Sequence, residues 1–236
     1  YMLEKLRKAM KAADIDMLLI PSADPHGSEY PEEYFKARKH FSGFTGSAGT
    51  LLIWQGGAGL WTDGRYFLQA ERQLEGSGID LFKMREPGVP TVDEFIAENI
   101  KGGVLGADLR TISASEGMEL EKGGAILKDC RSLIDGCWEG RPELSREPAY
   151  VLPMELAGVS AGNKLAAVRA EMAKCDANAC IFTDLADIAW LFNIRGNDVK
   201  YLPVALSYAI VEKQKAYVFM DAAKAAPIAA HLKALD

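Results

Sequence analysis

Side chains suited to hydrolytic or group-transfer chemistry are sparse in this sequence. Its three histidines are His26, His40 and His231. None stands in H-E-x-x-H or a comparable spacing that would set two imidazoles and a carboxylate around one metal ion. The expectation is therefore loop or surface histidines, with His26, near Glu29, and His40 as candidates to line a cleft or a subunit contact. Cys130, Cys137, Cys175 and Cys180 form no C-x-x-C and have no recurring zinc spacing, so all four read as reduced, structural thiols. Gly43, Gly46 and Gly49 recur every third residue. That pattern lacks the Lys-Ser/Thr of a phosphate loop and does not fit G-x-G-x-x-G, so no nucleotide site follows. The polar group with most chemical potential is Asp187, Arg195, Asn197 and Asp198. It alternates with Ile188, Trp190, Leu191 and Phe192, which are expected to pack inward. A carboxylate such as Asp187 suits a terminal ammonium, and the planar fork of Arg195 suits a carbonyl or carboxylate. The competing reading is an internal Asp187–Arg195 pair that pins its own loop. Asp63, in Asp63-Gly64-Arg65, is expected near a helix N-cap, stabilising by about 1 kcal/mol.

Composition narrows the function classes. The chain has 236 residues, 49% hydrophobic and 25% charged, an ordinary globular balance. A net charge of −6 disfavours nonspecific nucleic-acid binding, which needs clustered Lys and Arg. No apolar run approaches the ~18 to 20 residues of a membrane span. The amino-terminal Y-M-L-E-K-L-R-K carries charge through an amphipathic stripe rather than a signal-peptide apolar core. A cytoplasmic protein is expected.

These residues must be placed by secondary structure. Leu3, Leu6, Met10 and Ala13 share a helical stripe over residues 3–13, and Met17 to Ile20, closed by Pro21, reads as a buried strand. Glu32 to His40 reads as a short helix. Leu51 to Trp54 and the run ending Trp61-Thr62-Asp63 flank Gln55-Gly56-Gly57 as a β-hairpin. The period then changes, with Phe67, Ala70 and Leu74 on one helical face. Residues 79–84 suggest a strand. Thr91 and Glu94 form a capping box for a helix through Ile100, and residues 104–108 a short strand. Ser113 to Lys128 is expected to be helical, and Ser132 to Asp135 a strand. Prolines at 142, 148 and 153 mark a connector before a helix over 161–175.

The second part repeats the first. Leu18-Leu19-Ile20 aligns with Cys180-Ile181-Phe182, Phe41 to Gly46 with Leu191 to Gly196, and Leu60 to Asp63 with Val218 to Asp221. The shared order of helix, strand, loop, hairpin and helix implies a duplicated α/β module.

F-S-G-F-T-G-S-A-G-T from Phe41 and L-W-T-D-G-R-Y-F-L-Q-A from Leu60 resemble the amino-terminal region of long, three-domain Xaa-Pro aminopeptidases (aminopeptidase P). Residues 187–198 and 207–211 continue that resemblance, which covers nearly the whole chain. It implies two creatinase/prolidase N-terminal-like modules, at 1–137 and 158–236, joined by a linker at 138–157. Their α/β fold is a mixed, ribonuclease-H-like sheet flanked by helices, the second module being truncated. It further implies that catalysis resides in a following domain, where two Asp, one His and two Glu hold two divalent metal ions, manganese or zinc. No cofactor is expected in this chain, and on its own it should not hydrolyse peptides. The substrate implied is a peptide with proline at its second position, and the assembly a homodimer. In that family the amino-terminal module faces the catalytic cleft and limits access, so Asp187, Arg195, Asn197, Asp198 and His26 are access candidates. The alternatives are an interaction module of a catalytically inactive aminopeptidase-like protein, and a related prolidase or creatinase.

Overall fold

The computed structural model describes residues 2–235. It divides into two compact units, one formed by the chain up to Pro25 with Tyr34–Pro142, the other by His26–Glu33 with the chain from Glu143 onward.

In the first unit α1 (Met2–Ala12) precedes β1 (Met17–Pro21). A 3-10 turn, Glu33–Phe35, and α2 (Ala37–Ser42) follow, so the expected helix over 32–40 breaks at Lys36. Next come β2 (Thr50–Trp54), β3 (Gly57–Thr62), α3 (Phe67–Leu74), β4 (Asp80–Lys83), α4 (Val92–Ile100) and β5 (Val104–Ala107). Last are α5 (Ala114–Lys122), β6 (Ile126–Asp129) and α6 (Arg131–Cys137). The strands form one mixed sheet in the order β4-β3-β2-β1-β5-β6. The hairpin β2–β3 is antiparallel, with Trp54 opposite Gly57 across a two-residue turn. β1 is antiparallel to β2 and parallel to β5.

Strand alternation explains why β1 is apolar throughout. Leu18 and Ile20 point into a core with Leu51, Ile53 and Leu60 under α1, α2, α3 and α6. Met17 and Leu19 point the other way, to Leu52, Trp61 and Leu105 beneath Ile96 and Ile100 of α4 and Leu120 of α5. A sheet covered on both faces needs near-continuous apolar strands. Trp61 stacks on Phe82 at 3.9 Å between centroids, with Phe95 of α4 at its edge.

Two expected elements differ. Ser113 to Lys128 is not one helix: α5 ends at Lys122, Gly124 takes φ +95°, and residues 126–129 turn back as β6. Ser132 to Asp135 is helical within α6, whose Ile134 and Cys137 are buried beside Trp138. A four-residue segment with only Leu133 and Ile134 apolar carries no period that separates strand from helix.

The second unit contains β7 (Tyr150–Val151), α7 (Met154–Ala157), α8 (Ala161–Lys174), β8 (Ala179–Phe182), α9 (Leu185–Leu191) and β9 (Ile194–Arg195). These lead to β10 (Tyr208–Glu212), β11 (Ala216–Phe219), α10 (Ala222–Ala225) and α11 (Ala229–Lys233). Its main sheet is β11-β10-β8, antiparallel throughout, and β7 pairs with β9. Ala209 and Val211 of β10 are fully buried with Leu165 and Met172 of α8 and Ile188 and Leu191 of α9. The opposite face carries exposed Ile181, Tyr217 and Phe219.

Candidate functional site

The polar residues singled out between Asp187 and Asp198 fall on α9, on β9 and on the loop that returns to β10. α9 starts at Asp184, whose Oδ1 accepts the backbone N–H groups of Ala186 and Asp187 at 2.8 and 3.0 Å. That bond uses helix amides that have no partner inside the helix. The Asp187 side chain is exposed in this first turn. Ile188, Leu191 and Phe192 are buried as expected, but Trp190 is 54% exposed. On α9 it sits two residues from Ile188, which sends it to the other side of the cylinder.

Arg195 does not pair with Asp187. Its Nη1 donates to the carbonyl oxygens of Ala189 and Ile194 at 2.7 and 2.8 Å, so it caps the end of α9 and fixes β9. Lys164 of α8 works on the same turn from beneath. Its Nζ donates to Asn193 Oδ1 at 2.6 Å and to the Trp190 carbonyl oxygen at 2.9 Å. The ammonium lies 4.4 Å from the Trp190 ring centroid. Burial, with Arg195 nearby, pushes the Lys164 pKa down.

Asp198 is anchored from inside. Its Oδ2 accepts the Leu206 N–H at 2.6 Å and an ion pair from Lys224 of α10. The two side chains are 0% and 2% exposed. Lys224 Nζ also donates to the Ser145 carbonyl oxygen at 3.0 Å. One ammonium therefore ties together residue 145, the 196–206 loop and α10. Gly196 lets the loop close: a Cβ there would lie 2.8 Å from Ala205 Cβ and 2.9 Å from the Val204 carbonyl oxygen. Asn197 remains exposed.

The loop tip is a β-turn, Val199-Lys200-Tyr201-Leu202, closed by a bridge between Val199 and Leu202. Val199 and Val204 are buried against Leu185 and Ala189 of α9. Tyr201 is 93% exposed and has φ +67°. A positive φ at the third turn position is the place for Gly or Asn, and an L-residue there costs about 1–2 kcal/mol.

The histidines are more embedded than their sequence context suggests. His26 is 5% exposed and stacks on Tyr208 at 4.6 Å. His40 stacks on Trp138 at 4.6 Å, and burial lowers its pKa. His231 Nε2 meets the Phe192 carbonyl oxygen at 2.7 Å. His26 lies in a loop, as expected, although it is buried, while His40 on α2 and His231 on α11 are half-buried.

The first unit holds its own polar cluster, where the Phe41–Thr50 and Leu60–Ala70 stretches meet. Buried Arg38 donates to the carbonyl oxygens of Phe44 and Gly46, and burial lowers its pKa to about 10. Ser47 Oγ lies 2.8 Å from the Tyr66 hydroxyl. Thr45 Oγ1 accepts from Nε2 of both Gln69 and Gln73 at 2.9 Å. A Cβ on Gly46 would fall 2.3 Å from Phe44 Cζ, so the loop requires glycine there. Asp63 is not an N-cap, because α3 begins after Tyr66. It takes a bidentate contact from Arg65 at 2.9 and 2.8 Å, and that hydrogen bonding lowers its pKa to about 2.

Among the described residues no group of three or more His, Cys, Asp or Glu is placed to hold a metal ion. The described residues thus offer no cluster that fits the two ions, which the resemblance assigns to a following domain. Sequence reasoning missed Lys164, Lys224, Arg38 and Tyr201. Only Tyr201 left a signal, a two-residue Lys200-Tyr201 interval between the apolar residues Val199 and Leu202.

Residues 2–137 and, separately, residues 140–236 match the creatinase/prolidase N-terminal domain family. Aminopeptidase P1 of Lotus japonicus is 39% identical over 95% of the chain, and a probable Xaa-Pro aminopeptidase P of Coccidioides posadasii 41% identical over 94%. The chain spans 35% and 37% of the length of those curated relatives. The X-prolyl aminopeptidase of Caenorhabditis elegans, described as a cytosolic enzyme with a di-nuclear active site, superposes with a TM-score of 0.90. It is 32% identical over 98% of this chain and 41% of its own.

Proposed function

Because the chain belongs to the creatinase/prolidase N-terminal domain family, we propose that it is the non-catalytic part of a metallo-aminopeptidase that removes an N-terminal residue preceding proline. It corresponds to the amino-terminal region of aminopeptidase P-type enzymes. In this reading its modules are residues 1–137 and 158–236 with a linker at 138–157. The whole protein acts in the cytoplasm as a homodimer, with its two divalent metal ions held outside this chain. The second module shapes access of the peptide to the reacting centre.

The observation that carries the access role is the division of labour in residues 187–201. Arg195 and Asp198 are fixed by buried or backbone partners, while Asp187, Asn197 and Tyr201 face solvent on that fixed base. A fixed base lowers the ordering entropy that contact with a peptide must overcome. Asp187 supplies a carboxylate for an ammonium, and Arg195 acts by holding β9. The rival reading, an interaction module of an inactive aminopeptidase-like protein, draws support from the exposed Ile181, Tyr217 and Phe219.

Cleavage of Xaa-Pro peptides by the whole protein, with and without a chelator, tests the reading. Metal-dependent release of the first residue is expected, and residues 1–236 alone should not exceed a metal-stripped control. A whole protein that folds, is loaded with manganese or zinc and releases nothing favours the interaction module.

A further inference from the structure

We propose that residues 26–33, which lie within the first sequence module, are the docked partner of the open apolar face of the second sheet. His26 seats this strap on Tyr208, and the second unit is incomplete without it.

Strand alternation puts Tyr208 and Ile210 of β10 on the face opposite Ala209 and Val211, which are buried with side chains of α8 and α9. The pairing of β10 with β8 and β11 sets Ile181, Tyr217 and Phe219 beside them on that open face. Those three are exposed, an apolar surface of the kind that draws a partner. Tyr208 and Ile210 are half-buried. Tyr208 stands directly opposite Phe219 in the ladder, and what distinguishes the two is His26. Its ring lies nearly parallel to that of Tyr208, 4.6 Å away at 19°, and His26 is itself buried. Stacked rings at this separation contribute beyond the area they bury. Connectivity explains why this segment reaches the face. The chain leaves the first unit after Pro25 and rejoins it at Tyr34, while residues 26–33 group with the second unit. Pro25 and Pro31 restrict φ near both ends, and Gly27 takes φ +72° beside His26. A short segment anchored at both ends has little further freedom to lose when its ring docks. The second family match, residues 140–236, therefore leaves out part of the unit it forms.

The test uses residues 1–236 with His26→Ala and His26→Phe, read by amide hydrogen exchange. Loss of the ring should speed exchange of the β10 and β11 amides about three- to tenfold and leave β1 and β2 of the first unit unchanged. His26→Phe keeps a flat ring and should retain most of the protection. Unchanged exchange in β10 and β11 with alanine, or equal acceleration in both units, overturns the proposal. A phenylalanine variant that loses as much as alanine overturns it too. Should the alanine variant not fold, nuclear magnetic resonance of the parent decides. The His26 ring protons, identified by their loss in His26→Phe, should be shifted upfield by the Tyr208 ring and return in Tyr208→Leu. Resonances that stay in place between the parent and Tyr208→Leu overturn the strap. Each of these outcomes leaves the aminopeptidase reading standing.

Discussion

Asp198 and Lys224 show how a charged pair can set local structure without touching a ligand. Both side chains are essentially removed from water, so their attraction must offset a desolvation penalty of several kcal/mol per ion. Asp198 Oδ1 has no partner among the described residues, which makes the balance poorer still. Removing one partner leaves the other charge buried and alone, at a cost of about 3–5 kcal/mol. Lys224→Met and Asp198→Leu, each alone, should therefore destabilise the second unit strongly. The double variant should recover most of the loss, since a well-packed apolar pair is often no worse than a buried ion pair. Chemical denaturation of the two singles and the double measures this. Additive losses would mean that the two residues act independently. None of this was visible in the sequence. Asp198 stood out as part of the polar group with Asp187, Arg195 and Asn197, but Lys224 lies in Asp221-Ala222-Ala223-Lys224-Ala225, which reads as a solvated helix face. Burial of a lysine is decided by what packs over it, and here that comes from residues 145 and 198, distant in sequence. Lys164 and Arg38 were hidden in the same way.

At the scale of elements, local rules were legible where local chemistry decided the outcome. Thr91 and Glu94 form the expected reciprocal cap on α4, with bonds of 3.2 and 2.8 Å. Ser113 and Glu116 repeat it on α5, a second capping box that the sequence analysis did not single out. These two helices cover one face of the six-stranded sheet through Ile96, Ile100 and Leu120. Thr91→Ala and Ser113→Ala should each cost about 1 kcal/mol, lowering Tm by a few degrees. Faster amide exchange in the first turn of the affected helix should accompany each loss. A change in Tm without that local exchange would place the effect elsewhere. The hairpin was equally legible, because a two-residue Gln55-Gly56 connection between apolar runs leaves little choice of register. The segment after α5 was not. Gly123 and Gly124 end the helix that was expected to run to Lys128, and β6 pairs in parallel along the edge of β5. A strand on a pre-existing edge needs no strong pattern of its own.

For the whole molecule, the repeat was the strongest sequence signal, and the structure turns it into a comparison of two sheets. In the first unit Leu19, Leu52 and Gly59 form a row across β1, β2 and β3. In the second, Ile181, Ile210 and Tyr217 form the corresponding row across β8, β10 and β11. Phe219, opposite Tyr208, takes the place of Trp61, opposite Thr50. The first row lies under α4 and α5, and β5 pairs along the far edge of β1. Among the described residues no such helices cover the second row and no strand pairs along the far edge of β8. Ile181 and Phe219 are accordingly 69% and 52% exposed. Apolar side chains and open backbone groups side by side favour association. Residues 1–236 produced alone should therefore self-associate in a concentration-dependent way. Ile181→Lys with Phe219→Lys should shift the population toward monomer without lowering Tm, because neither side chain contributes to the core on the α8–α9 side. Sedimentation velocity across a hundredfold concentration range reads this directly. A monomeric parent chain would mean that the bare face is tolerated in water. An associating double variant would move the contact to a different surface, such as the exposed stretch from Tyr150 to Leu156.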